Sequence, residues 1–136
     1  MGTWSTLPFG NDDAADWAYE LDDTDDLTPI EEAMTSVLST GDATLEAFDG
    51  AAAIAAIELL ACLRGRPGDT ETYTEAAYAW LGRTRQQPTP ALIDKARSVL
   101  GRVLAERSEL RDLWRESPEY AEWLATMEDL RARIGD

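Results

Sequence analysis

The sequence predicts an all-α protein, a compact single-domain bundle of about six or seven helices around a central helix rich in alanine and leucine. Apolar residues recur at the three- and four-residue spacing of an amphipathic helix along most of the chain. Helix-start residues precede these stripes, and residues 50–64 are apolar almost throughout. Because 136 residues suffice for one core, we expect residues 1–136 to form one domain, with residues 1–10 as an extended segment packed on the bundle.

The first two helices are predicted from residues that favour helix starts. Asn11 is suited to cap a helix whose apolar face includes Trp17 and Leu21, and acids follow it in the first turn, where the helix dipole favours them. A highly charged connection comes next. Thr28 and Glu31 then match a capping box with proline at the first helical position. We therefore expect the second helix to begin directly after Thr28.

The third helix is predicted to be the buried centre of the bundle. We expect Asp49 to cap it and Gly65 to end it. Few residues between them are polar, Glu58 and Cys62 among them. A helix that is apolar on nearly every side has to be surrounded by other helices.

Four more helices are predicted in the second half of the chain, and their short connections favour antiparallel neighbours. The helix that starts at Thr89 carries the strongest amphipathic pattern. Strands are conceivable at residues 3–9 and 43–48, but neither stretch has a partner long enough for a stable sheet. The starts of these helices are predicted at Thr72, Thr89, Ser108 and Ser117.

Composition excludes several classes of function. The chain has no histidine, which removes imidazole acid–base chemistry, histidine-activated nucleophiles and histidine metal sites, and its single cysteine cannot form an internal disulfide. We expect no cofactor and no metal site. The net charge of −15 would repel nucleic acid and anionic membranes. Neither a signal peptide nor a membrane-spanning stretch is recognisable, so we expect a cytoplasmic protein.

The charge is concentrated at one end of the sequence. Residues 1–50 carry 13 acidic and no basic side chains, whereas residues 51–136 carry 14 acidic and 12 basic ones. This asymmetry favours a non-catalytic interaction protein, of the inhibitor or immunity type, that binds a basic partner. The alternative is that these acids only cap helices and keep the protein soluble. The predicted binding residues are Trp4, Phe9, Asn11, Asp12, Asp13, Asp16, Asp22, Asp23, Asp25 and Asp26.

Glu58 is a candidate functional acid because it is the one acidic residue in the predicted central helix after its cap. It could be a general base with a raised pKa, or it could form a structural ion pair or hydrogen bond, with an arginine or with the N-terminal segment. Two further functions stay open. One is a small metal-dependent hydrolase that uses Glu58 with Asp12, Asp13 and Asp16, and the other is a self-associating structural protein.

The N-terminal sequence resembles a known family. It reads M-G-x-W-x-x-x-P-F-x-N-D-x-A-x-D-W from Met1 to Trp17, which is similar to the uncharacterised bacterial domain-of-unknown-function family 4259. The similarity extends to residues 56–58, 108–110 and 113–114. The family has no established activity, so the resemblance implies no mechanism.

Overall fold

The computed structural model of the protein describes residues 5–135, and this part of the chain is all-α, as the sequence predicts. Its two 3₁₀ turns span Tyr19–Asp23 and Thr70–Thr72. The helices are α1 (Asp12–Ala18), α2 (Thr28–Leu38), α3 (Ala47–Leu63), α4 (Glu75–Arg83), α5 (Pro90–Val103), α6 (Glu109–Arg115) and α7 (Tyr120–Ile134).

The central helix is α3, and the prediction of a buried centre is confirmed. Each of the other six helices contacts it. Residues 50–61 of α3 are all buried. Alanines make up much of this stretch, and their small side chains let the neighbouring helices approach closely. The apolar faces of the other helices therefore meet in one core around α3.

The N-terminal segment packs on the bundle, but residues 5–10 form a tight turn rather than the extended segment that we expected. The amide of Ser5 donates to the carbonyl of Gly10 at 2.9 Å, and the amide of Gly10 donates to Leu7 at 2.9 Å. Phe9 is buried, with its ring 5.3 Å from that of Tyr73. The turn is favoured because it folds the short segment back so that its apolar residues reach the core. Trp4 lies outside the described residues.

Three predicted helix starts are confirmed. The side chains of Asn11, Thr89 and Ser108 each accept a hydrogen bond from the backbone N–H three residues later. These caps need only the residue itself and the next turn of the chain, so a local sequence pattern identifies them.

Other predicted starts are wrong by one to three residues. Helix α3 begins at Ala47, not after Asp49, since the carboxylate of Glu109 accepts the Ala47 amide at 2.9 Å. Thr74 caps α4, two residues after the expected position. Helix α2 includes Thr28 itself, whose amide donates to the Asp26 carboxylate at 2.9 Å.

Neither possible strand forms a sheet in residues 5–135. The only β-structure there is an isolated parallel bridge between Leu45 and Ser108. In it the amide of Leu45 donates to Arg107 at 2.8 Å, and the amide of Glu109 donates to Leu45 at 2.9 Å. The bridge ties the start of α3 to the start of α6. Within the same residues, no helix has the length and apolar character to cross a membrane.

The end of α3 generates a stability prediction. Gly65 has φ +80°, and the amides of Gly65 and Arg66 donate back to Cys62 and Ala61. Alanine at position 65 would meet no neighbour, so only backbone strain acts, and Gly65→Ala should lower the free energy of unfolding by about 1 kcal/mol. Gly101→Ala, inside α5 with open space beside it, should raise it by about 0.5–1 kcal/mol. Urea unfolding of both variants checks this, and a shift of the same sign in both would contradict it.

Candidate functional site

The acids of the first helix form an exposed ridge. Helix α1 buries Ala14, Trp17 and Ala18, which face the core, and turns its acids outward. The 3₁₀ turn that follows adds three more acids. We call α1 with this turn, residues 12–23, the acidic ridge. Its acidic side chains are exposed or half-buried, and they are Asp12, Asp13, Asp16, Glu20, Asp22 and Asp23.

Like charges crowd the start of the ridge. Partial burial raises the pKa of Asp13, and the neighbouring charges of Asp16 and Asp12 raise it further. Of the two roles predicted for Asn11, the structure shows the cap, because its side-chain oxygen accepts the Ala14 amide at 2.8 Å. The carboxylates, rather than the Asn11 amide, are therefore the groups available to a partner.

Arg83 holds the connection that follows the ridge through hydrogen bonds to its backbone. Its guanidinium donates to the backbone carbonyls of Leu21 and Thr24. Asp25 is exposed, while the Asp26 pKa is lowered by hydrogen bonds, first from the Thr28 amide and then from Thr24. Arg83 thus brings a positive charge close to these acids, but it binds peptide groups and not carboxylates.

Two grooves flank the ridge, and no basic residue lines either of them. The first, which we call the Phe48 groove, has a volume of about 90 Å³ and lies between α1, α2 and α3. The second, the Tyr19 groove, measures about 350 Å³ and lies between the ridge and α4. The Phe48 groove is lined by Trp17, Glu20, Pro29, Glu32, Ala33, Ser36, Phe48, Asp49 and Ala52. The Tyr19 groove is lined by Ala15, Tyr19, Asp22, Thr74, Glu75, Ala76 and Ala79.

Within the described part of the chain, the N-terminal acids have no internal counter-ions. The ion pairs within residues 5–135 number four, and none involves any of the 13 acids before residue 51. Several arginines bind backbone carbonyls instead: Arg97 donates to Gly135, and Arg102 donates to Ala43 at 2.7 Å. Arg107 likewise donates to the Asp42 carbonyl at 2.7 Å. The negative charge of the ridge is consequently left for solvent or for a partner.

Glu58 belongs to a separate, buried network. Its side chain is 1% exposed, and its two oxygens accept from Nη1 and Nη2 of Arg133 at 2.8 and 2.7 Å. Oε2 also accepts from the Tyr73 hydroxyl and, at 3.0 Å, from the Gly68 amide. A Cβ at position 68 would lie 2.9 Å from the Arg133 guanidinium, so a side chain there would displace the guanidinium from its place beside Glu58. The network joins α3, α7 and the loop before α4.

The neighbours of Glu58 are held in unreactive states. Burial, with hydrogen bonds to Cys62 and Glu58, raises the pKa of Tyr73 far above its ordinary value, so the phenol stays protonated. Burial also raises the pKa of the Cys62 thiol, whose sulfur lies 3.0 Å from the Tyr73 hydroxyl. Burial alone would lower the pKa of Arg133, but hydrogen bonds and charges from Glu58 and Asp129 raise it. This chemistry suits a structural ion pair and not a nucleophile or base.

The structure does not bring the predicted site residues into one cluster. Phe9 is only 4% exposed, so it is part of the core and cannot serve as a surface anchor. The oxygens of Glu58 are occupied by Arg133, and no group of three or more acids or cysteines within residues 5–135 could hold a metal ion. The arrangement that a hydrolase with Glu58 and the N-terminal acids requires is therefore not found in the described chain.

Sequence reasoning missed the groove residues. Phe48 is 40% exposed and Tyr19 is 68% exposed, although both are aromatic. Phe48 and Asp49 precede a continuous apolar run, so the sequence suggested only the start of a buried helix. The position of Tyr19 two residues after Trp17 is a usable signal, because residues two apart lie on different faces of a helix.

Comparison with known proteins identifies one family. The model of a domain of unknown function, DUF4259, matches residues 2–126. Neither the curated proteins nor the solved structures gave a match.

The buried network predicts a large difference between two arginines of α7. Arg133→Met leaves the Glu58 carboxylate buried without its counter-ion and should lower the free energy of unfolding by about 3–5 kcal/mol. Arg131→Met, at an exposed position of the same helix, should change it by less than about 0.5 kcal/mol. Adding Glu58→Gln to Arg133→Met should recover part of the loss, because a neutral amide is cheaper to bury. Equal unfolding midpoints for the two arginine variants would contradict this account.

The crowded acids predict a pH-dependent effect at Asp13. Because its pKa in the folded state is raised above the unfolded value, ionised Asp13 costs stability at neutral pH, and this cost disappears as the pH falls through the folded pKa. We therefore expect the difference in free energy of unfolding, Asp13→Asn minus the parent, to be larger at about pH 7 than at about pH 2.5. Urea titrations at both pH values measure this difference, and a decrease would show that the sign is wrong.

Proposed function

The chain belongs to the DUF4259 family, whose description carries no activity. We propose that the protein is a non-catalytic protein-interaction module that binds a basic protein through the acidic ridge. The observation that carries this proposal is the exposure of the ridge carboxylates together with the lack of ion pairs to them within residues 5–135.

The cost of the ridge supports a role beyond solubility. The acids at the start of α1 repel one another: the pKa of Asp13 is raised first by partial burial and then by the charges of Asp16 and Asp12. A protein that needed only solubility could spread its charges and pair them with its own arginines. A cationic partner would relieve this repulsion, and opposite charges would steer the encounter at low ionic strength.

A cationic cleft is the kind of partner surface that fits the ridge. Carboxylates along α1 and the 3₁₀ turn present a row of negative charge on a fixed scaffold, and nucleases bind the phosphates of their substrates with basic clefts. The proposal therefore extends to an inhibitor or immunity-type protein that covers such a cleft. Two exposed aromatic residues, Tyr19 on the ridge and Phe48 beside it, supply the apolar contact that charge alone does not give.

Self-association is a weaker second candidate. Most of the large exposed apolar side chains in the described chain, Tyr19, Phe48 and Tyr78 among them, lie on the ridge or on α3 and α4, which flank it. A symmetric dimer through these residues would place two acidic ridges against each other, and like charges across an interface are unfavourable.

The proposal predicts that binding depends on the position of the charges. The parent chain, immobilised, should retain basic proteins from a cell lysate at low ionic strength and release them as salt is added. The triple variant Asp12→Asn, Asp13→Asn, Asp16→Asn should bind them more weakly by about 1–3 kcal/mol, since an exposed ion pair contributes up to about 1 kcal/mol. Mass spectrometry identifies the retained proteins, and their dissociation constants are then measured by calorimetry.

A matched control removes the same number of charges elsewhere. Glu116, Glu122 and Glu128 are exposed acids in or near α7, and replacing all three by glutamine gives the same net charge as the ridge variant. This control should bind like the parent. An equal loss in both variants, or retention that is indifferent to salt, would overturn the proposal.

A further inference from the structure

The Phe48 groove combines an apolar interior with an acidic rim. Its floor is built from the buried side chains of Trp17, Ala33 and Ala52, which are at most 8% exposed. Phe48 forms part of the wall and leaves 40% of its surface open to solvent. Helices α1 and α2 both dock on α3, and the groove lies between them.

Three carboxylates line the groove, one from each surrounding element. Glu20 comes from the 3₁₀ turn, Glu32 from α2 and Asp49 from the first turn of α3. In the part of the chain that the structure describes, none of these carboxylates takes part in an ion pair or a hydrogen bond. The rim therefore carries three carboxylates that no cationic side chain of residues 5–135 pairs with.

The chemistry of the lining narrows the choice of occupant. An apolar side chain would cover the floor but would desolvate carboxylates without giving them a partner, which is unfavourable. A bare divalent cation needs several oxygens around one point, and residues 5–135 contain no such group. A side chain with an apolar stem and a cationic head satisfies both parts of the groove.

Arginine fits better than lysine for two reasons. Its planar guanidinium can lie against an aromatic ring such as Phe48, where it is weakly hydrated and attracted by the ring electrons. It also offers five N–H donors, so it can bind carboxylates that approach from different elements, whereas lysine is a compact point charge.

We propose that the Phe48 groove is a binding pocket for an arginine side chain of the basic partner. This rests on the proposed function and adds to it the residue that anchors the partner. The Tyr19 groove is not the anchor, because it is larger and its two acids stand beside small alanine side chains rather than a closed apolar floor.

The test is an NMR titration of the full chain with blocked amino acids at constant ionic strength. The probes are N-acetyl-arginine amide, N-acetyl-lysine amide and the uncharged arginine isostere N-acetyl-citrulline amide. Arginine should cause saturable shifts in the amide signals of Ser36, Phe48 and Ala52. Lysine should bind about two- to fivefold more weakly, and citrulline should give no saturable shift.

Matched variants locate the site. Phe48→Ala and Glu32→Gln should each weaken arginine binding by about two- to fivefold. Leu38→Ala removes a side chain that is also 40% exposed, and Glu128→Gln removes a charge on α7, so both should bind arginine like the parent. Thermal unfolding of each variant verifies that it is folded.

The outcomes separate the pocket from the broader function. Equal binding of arginine and citrulline, or equal losses in Phe48→Ala and Leu38→Ala, would overturn the pocket. If the ridge variant of the previous section still loses its basic partners in that case, the proposed function stands without an arginine anchor. If the titration succeeds but basic proteins are retained equally by the ridge variant and its control, the pocket stands and the ridge is not the docking surface.

Discussion

The structure depends on one requirement, which is that α3 has to be covered on every side. Between residues 50 and 61 its surface has no outward face, and all six other helices contact it. The single buried carboxylate on this helix, that of Glu58, adds a second condition. It has to be neutralised where it lies, and Arg133 from α7 does so while Tyr73 and Gly68 satisfy its remaining lone pairs. Packing and charge therefore both fix the end of the chain against its centre.

The same requirement explains why the acidic ridge is left exposed. Helix α1 packs its apolar residues against α3, so its acids face solvent. The arginines that could have paired with them are used differently, because Arg83 and Arg102 donate to backbone carbonyls of connecting segments. Those carbonyls would otherwise lack partners where no helix or sheet supplies one. Basic side chains thus hold the loops in place, and the N-terminal acids form no ion pair within residues 5–135.

Local chemistry explains which elements could be predicted. The caps at Asn11, Thr89 and Ser108 need nothing beyond the next helical turn, and the sequence pattern identified them. The start of α3 depends on Glu109, which is 62 residues away along the chain. The amide of Leu27, just before α2, donates to Gln86, which is 59 residues away. No local pattern contains such contacts, and the start of α3 was displaced by almost a helical turn.

The sequence by itself determined the all-α class, the buried position of α3 and the excess of acid in the first third of the chain. Helical periodicity involves only residues that are close in the chain, and composition can be read without knowing the fold. It also limited the role of Glu58 to a few alternatives. Only the tertiary structure decided that Arg133, 75 residues away, is its partner, that Phe9 is buried while Phe48 is exposed, and that three acids from separate elements surround one groove. These features depend on which faces meet after the helices dock, and docking joins residues that are far apart in the chain.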